Sequence, residues 1–568
     1  MQRWMTRVLS AMLTAASAAG AEAPSPAPLP TAKVEEQKLG PLHERVLLWR
    51  VSRDGRRLAY VAAQGGKCLV VLDGLPGPEY DGIAPGTLRF SHSTGGTPVP
   101  PRLGYVAAKG KTRVVVVDGQ EGPEFDGILE RHPFFSPDGK HVAYAGQKGG
   151  KWTVLLDGKQ GPEFDAILAD NPVFSPDGAH IAYGAKKGGR WVVVLDGQAG
   201  PEFDKLQEGA AFFSPDGKRL AYGALRGAKW VVVSDGQPGP EVDGIAIGSP
   251  VFSPDSRRVA FAALVGKKTV VFADGQPSTA LGPGPGPELD GMAEGSPVFS
   301  PDGRLAYVGH KAGKHCLYLD GKPGPEHDAL GRGDPVFSPD GKHVAYSARK
   351  GNKWGVILDG RYGPDFDAIL DHTPVFSPDG SRVAYGGRRG EKWLAVVDGQ
   401  AGPPYDGLLA RTPLFSPDGK HVAYGARSGD QWLIVADGKP STSLGPGPGH
   451  EFGGIGEGTL AFSPDGARLL YAAGRATRKL AVVDGQPGPE FDEVVTPTFS
   501  PDGKHVAYRA RRNAGEASKT LVVLDGQAGP EFDGVIPNGP AWLPEGAVEY
   551  LAHRDKTLYR VKQLPAAK

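Results

Sequence analysis

The chain has 568 residues, of which 64 are basic and 64 acidic, so its formal net charge is zero; it holds 84 Gly, 53 Pro and two Cys. Balanced charge argues against a basic nucleic-acid face and a polybasic membrane anchor. Two cysteines exclude a disulfide scaffold, and the length exceeds one ordinary core, so two or more domains are expected.

The first element in chain order is a secretory signal peptide over residues 1–23. Arg3 and Arg7 lead into Val8, Leu9, Ala11, Met12 and Leu13, and Ala19-Gly20-Ala21 and Ala21-Glu22-Ala23 offer small-residue cleavage sites. No later stretch reaches the 18 apolar residues of a membrane span, and no Cys near the cleavage site invites a lipid anchor. Residues 24–37 are polar and Pro-rich and read as a flexible leader. Together these predict a secreted or periplasmic, cell-envelope protein with a bacterial-type signal.

From residue 38 onward the chain is one unit repeated. Its clearest copy begins FSPDGAHIAYGAKKGGRWVVVLDGQAGPEFDKL at Phe174. The opening Phe recurs at Phe135, Phe174, Phe213 and Phe252, then at Phe299, Phe337, Phe376, Phe415, Phe462 and Phe499. With weaker openings near Trp49, Phe90 and Trp542, there are 13 copies of about 40 residues.

Each copy predicts four short strands. In the Phe174 copy they are Pro172 to Ser175, His180 to Gly184, Trp191 to Leu195, and Glu202 onward. Runs of four to six residues with β-branched and aromatic enrichment suit strands rather than helices. Pro176-Asp177-Gly178 and Asp196-Gly197 supply the turns, and Pro201 confines the last strand to the sheet edge. Four-stranded units repeated at this period read as propeller blades.

A single ring of 13 exceeds the usual four to eight blades, so the sequence predicts an all-β chain of two consecutive β-propellers, six blades plus seven. The Gly/Pro insertion Pro277 to Pro285 marks the boundary: a six-bladed propeller over 38–280, a linker over 281–287 and a seven-bladed propeller over 288–568. A second insertion, Pro440 to Pro448, leaves too few blades beyond it to be the boundary. The last copy lacks a fourth strand, and Gly40-Pro41-Leu42-His43-Glu44 matches Gly200-Pro201-Glu202-Phe203-Asp204. This spare strand is expected to complete the sixth blade, closing the first ring. The polar loop His92 to Pro101 is the largest other departure in the first half.

The motif Phe-Ser-Pro-Asp-Gly followed by Val-Ala-Tyr, as at Phe135 to Tyr144, Phe337 to Tyr346, Phe376 to Tyr385, Phe415 to Tyr424 and Phe499 to Tyr508, resembles the WD40-like repeat of the TolB type. The resemblance covers nearly all of the chain after residue 40. It implies a propeller found in envelope proteins that bind partners and in propellers that gate prolyl-oligopeptidase-like hydrolases. The small α/β domain that precedes the TolB propeller is not visible here, nor is a Gly-x-Ser-x-Gly elbow on a catalytic domain.

The candidate chemistry repeats with the blades. Glu124/Asp126, Glu163/Asp165, Glu202/Asp204 and Glu490/Asp492 pair carboxylates on one face, with Phe125, Phe164, Phe203 and Phe491 on the other. Such pairs suit acid–base work or Ca²⁺, but a site is normally made once, and a solvated edge with Phe packed inward is expected. Asp138, Asp177, Asp216 and Asp340 should cap their turns. His141, His180, His343, His421 and His505 fall on separate blades and form no zinc cluster. Trp152, Trp191, Trp230, Trp354, Trp393 and Trp432 should pack between blades. The Gly149-Gly150-Lys151 type of loop joins strands and is no phosphate loop.

No catalytic, cofactor-binding or metal residue is assigned, and no cofactor is expected. Three readings follow: a protein- or peptide-interaction module using a ring face, a small-molecule or glycan receptor using the channel, and a lyase or hydrolase with a site shared between blades. The first is preferred; the partner expected is a protein or peptide, not a nucleic acid.

Overall fold

The computed structural model describes residues 33–566 apart from 93–99, 170–171, 210, 247, 275, 278–287, 294–296, 332–334, 441–453, 476, 515–516 and 538–539. The expected signal peptide, the 281–287 linker, and most of the 92–101 loop and of the second insertion lie outside the described residues. Every described regular element is a strand, and the strands form 13 antiparallel sheets of four or five segments.

One blade explains the rest. In blade four, Ala166–Ile167 and Val173–Phe174 both pair with Ile181–Lys187; that strand pairs with Arg190–Leu195, and Gln198–Ala199 closes the outer edge. The inner strand is broken because five residues separate Ile167 from Val173, whereas only Tyr183 and Gly184 separate their partners Ala185 and Ala182. In several blades a side chain of this loop caps the amide thereby freed. His132 Nδ1 accepts from Ala145 N–H at 2.7 Å, and Thr87 Oγ1 from Val106 N–H at 3.1 Å. The Ser175 hydroxyl donates to Asp177 Oδ1 at 2.5 Å and Gly178 N–H to Ser175 C=O, which locks the first turn. Asp196 stands at φ 48° and Gly197 at 82°, the left-handed pair a two-residue hairpin requires. Asp196 tolerates it because its carboxylate accepts the Ile181 amide at 2.9 Å.

The middle strands are buried on both faces because each sheet is sandwiched between two others. Ile181, Tyr183 and Ala185 join blade three's Ala143 and Phe164, whereas Ala182 and Val193 join blade five's Leu220 and Tyr222. Alternation of side chains across a strand thus serves two different cores.

Thirteen buried clusters join consecutive blades, one per junction, and they make the ring. Blade six meets blade seven through Ala260, Ala262 and Val271 against Leu305, Tyr307 and Cys316. Blade thirteen meets blade one through Ile536, Leu551 and Leu558 against Leu58, Tyr60 and Val71. Neighbouring Ser-Pro-Asp-Gly turns touch, as a Cβ placed on Gly178 meets the Asp138 carboxylate at 3.0 Å, so the broken strands line the inner edge.

The propeller class, the blade count and the strand order agree with the sequence. The closure differs from expectation. Lys33–Pro41 pairs over its length with Thr557–Leu564 of blade thirteen, not with blade six, whose outer edge is its own Gln276–Pro277 and Leu289 opposite Thr269. The alignment of Gly40 to Glu44 with the Gly-Pro-Glu-Phe-Asp strand holds, but the strand completes the last blade. The physical reason is that the blade six–seven junction is packed like any other, so no edge there is left to fill. A ring of 13 turns about 28° per blade instead of the 45° of an eight-bladed ring. The second correction concerns the fourth strand: residues after Asp204 leave blade four and begin the inner edge of blade five, as Lys205–Leu206.

Candidate functional site

Two belts of ion pairs encircle the ring, and both come from sequence positions that repeat. On the face of the Ser-Pro-Asp-Gly turns, the residue that opens the second strand meets the Asp of the Asp-Gly turn. His180 Nδ1 lies 2.7 Å from Asp196 Oδ2, and Arg219 Nε 2.8 Å from Asp235 Oδ2. Where this residue is Arg it also staples the next blade: Arg382 donates to Lys420 C=O at 2.7 Å and sits 5.2 Å over the Phe415 ring. His is too short to do so. The grooves beside His180 and His343 have volumes of about 590 and 570 Å³, against about 410 and 440 Å³ beside Arg382 and Arg304. Their floors are Val193, Phe213 and Tyr222, or Val356, Phe376 and Tyr385; burial pushes both tyrosine hydroxyls up to about 12, so they stay protonated.

The opposite belt explains the Gly-Pro-Glu-Phe-Asp strand. Asp165 accepts Lys151 Nζ at 2.5 Å within its blade and the Gly188 amide of the next blade at 2.8 Å. Asp290 does the same between Lys268 and the Ala312 amide, across the blade six–seven junction. These partners hold the Asp165 carboxyl below its ordinary range, the lysine bond contributing most. Each such Asp is therefore an inter-blade latch.

At the seam between blades thirteen and one the pattern breaks. His43 takes the position of the repeated Phe and meets Tyr60 at 5.9 Å between rings, as Phe203 meets Tyr222 at 6.1 Å. Glu44 takes the latch position yet makes no latch contact among the described residues. Blade one has only three residues between Val46 and Arg50, so its inner strand stays paired over Val46–Val51, with a bulge at Leu47. Leu47 and Trp49 are 51% and 39% exposed. Trp49 packs on His553 at 6.4 Å, and a pocket of about 560 Å³ runs between them, rimmed by Glu44, Asp533 and Lys556.

The sequence-predicted residues fall as follows. Phe125, Phe164, Phe203 and Phe491 are buried between blades, as expected. Of the carboxylate pairs, Glu163 and Glu202 are exposed, and so are Asp126, Asp165 and Asp204, as expected of a solvated face; these aspartates additionally latch the next blade. The turn aspartates cap as expected; a Ser hydroxyl, then a backbone amide, hold Asp340 and Asp418 at about 2. The five repeat histidines each meet an Asp of their own blade and are not brought together. The tryptophans are half-buried, and three carry a cation above the ring: Lys186 lies 5.7 Å over Trp191, Arg349 5.9 Å over Trp354 and Arg388 5.9 Å over Trp393. Among the described residues no three His, Cys, Asp or Glu side chains converge on a metal position, and Cys68 and Cys316 are free thiols. The belts were missed, although fixed spacings of 16 and 14 residues, as in His141/Asp157 and Lys151/Asp165, mark them.

This strand order and ring of junctions define a β-propeller. No family model and no curated relative matches the chain. Solved structures similar to it include a eukaryotic initiation factor (16% identity over 69% of this chain and 96% of that one, TM-score 0.29). They also include TolB from Acinetobacter baumannii (15%, 46% and 79%, TM-score 0.19) and the Dos1 propeller (13%, 58% and 93%, TM-score 0.24).

Proposed function

We propose that this is an envelope or secreted propeller that binds an extended segment of a protein partner at the seam. One observation carries the reading. Among the described residues, blade one alone offers a continuous inner edge without a proline, flanked by the exposed Leu47 and Trp49 and a polar rim. An unpaired strand edge supplies main-chain hydrogen bonds to an added strand, and adjoining apolar side chains select its residues. The other continuous inner strand, Glu493–Phe499 in blade twelve, carries Pro497 and a left-handed Thr496, which blunt its edge. Export rests on the basic and apolar start of the sequence, and no helix among the described residues is long and apolar enough to cross a membrane.

Selection of phage-displayed peptides on the full chain tests this. The reading expects apolar or aromatic extended peptides whose affinity falls at least tenfold on Trp49→Ala and on Leu47→Asp. Failure to select any, or binders indifferent to both changes, overturns it.

A further inference from the structure

Blade seven departs from the repeat at one row of residues. Where blade eight has Arg349 opposite Trp354 and blade nine Arg388 opposite Trp393, blade seven has His310 opposite His315, and His327 faces His315 on the outer strand. We propose that His310 and His315 chelate a transition-metal ion of the Zn²⁺, Cu²⁺ or Ni²⁺ class, a site independent of the peptide-binding seam.

The geometry follows from the hairpin. Lys311 and Lys314 close a two-residue turn, so the adjoining His310–His315 pair is of the non-hydrogen-bonded type, in which opposed side chains approach most closely. Both project to the same side of the sheet. Their ring centroids are 5.6 Å apart. An imidazole bound at 2.0–2.1 Å has its centroid roughly 3.2 Å from the metal, so two on one tetrahedral ion lie about 5.2 Å apart. The observed centroid spacing lies close to that value; the His310 ring, now over Gly291, rotates to chelate. The His310 ring lies over Gly291, where a Cβ would meet its Nε2 at 2.4 Å, so glycine leaves room for it.

His327 adds an independent sign. It is 4% exposed and neither ring nitrogen has a hydrogen-bond partner, a costly state for a buried imidazole. It stands next in the row as a third nitrogen. The present side-chain positions bring no three ligating groups together, so the chelate has two protein ligands and completes its shell with water. Blade thirteen supplies a control: His553 lies over Gly534 in the same way, but its cross-strand partner is Leu558.

The test is calorimetric titration of the full chain with zinc chloride, with copper(II) and nickel(II) as alternatives. One saturable site is expected, weakened at least tenfold by His310→Gln and by His315→Gln, unchanged by His553→Gln, and lost as the pH falls through the histidine range. The double change His310→Arg/His315→Trp restores the pattern of blade eight; it should fold and not bind. Zinc should also slow amide exchange at residues 309–316 in the parent chain alone. Absence of a saturable site, or a site that survives the double change, overturns the proposal.

Discussion

The junction of blades four and five and the seam of blades thirteen and one perform the same task with different residues. In the first, Phe203 is fully buried against Tyr222, Asp204 ties Arg190 to the Gly227 amide, and no large apolar side chain of the inner strand is left out. In the second, His43 replaces the Phe, Glu44 replaces the latch, and Leu42 N–H donates to Lys556 C=O at 2.7 Å to hold the strand end. The repeated junction closes its inner strand and its latch face and leaves its groove on the turn face, beside His180. The seam, made once by distant ends of the chain, keeps Leu47 and Trp49 in solvent.

The largest effect that sharpens this contrast is cutting the ring. Residues 24–281 and 286–568, expressed separately, each expose two apolar junction faces, including Leu58, Tyr60 and Val71 on one and Leu551 and Leu558 on the other. Each is expected to associate or remain molten, and the two should recover cooperative unfolding on mixing. Two cooperative monomers would instead restore the six-plus-seven arrangement. Next in size, Phe203→Ala should cost about 3–5 kcal/mol by denaturant unfolding. Trp191→Ala, half-buried, should cost about 2 kcal/mol, and Trp49→Ala at the seam no more than about 0.5 kcal/mol. Equal losses at Phe203 and Trp49 would erase the distinction between the two junctions.

Acid separates the regions more gently. Asp340 and Asp418 have folded pKa values of about 2, below their ordinary 3.8, so the stability they contribute is present above about pH 4 and lost between about pH 4 and 2. His315, His327 and His553 are lowered by burial, so their contribution is present above the ordinary 6.5 and lost as pH falls below it. Lys350 reinforces the His327 shift and Asp328 opposes it, with the Tyr346 and Tyr362 rings enclosing the site. Between pH 7 and 5, amide exchange should quicken first in 305–362 and 534–564. Uniform loosening around the ring would contradict this.

Much of this architecture was legible from residues 135–508. The Pro-Asp-Gly and Asp-Gly turns, the inward Phe and the 39-residue period follow from local chemistry, which each copy restates. What was not legible depends on neighbours. Asp165 is the surface carboxylate its position suggests, but its latch role was hidden because its second partner, the Gly188 amide, belongs to another blade. The inner strand's second piece was hidden in the fourth strand, because the residues after Asp204 join the next blade only through pairing with its second strand. The spare strand at Gly40 to Glu44 was correctly typed but wrongly placed, since any blade of a repeat presents the same edge and only the long-range closure selects one.

That closure is tested most directly by deleting residues 33–41 and following amide exchange along the chain. A ring closed by blade thirteen predicts that protection falls in 548–564 and in 58–72, which share the seam core, while 259–273 in blade six stays protected. Protection lost at 259–273 with 548–564 intact would contradict it.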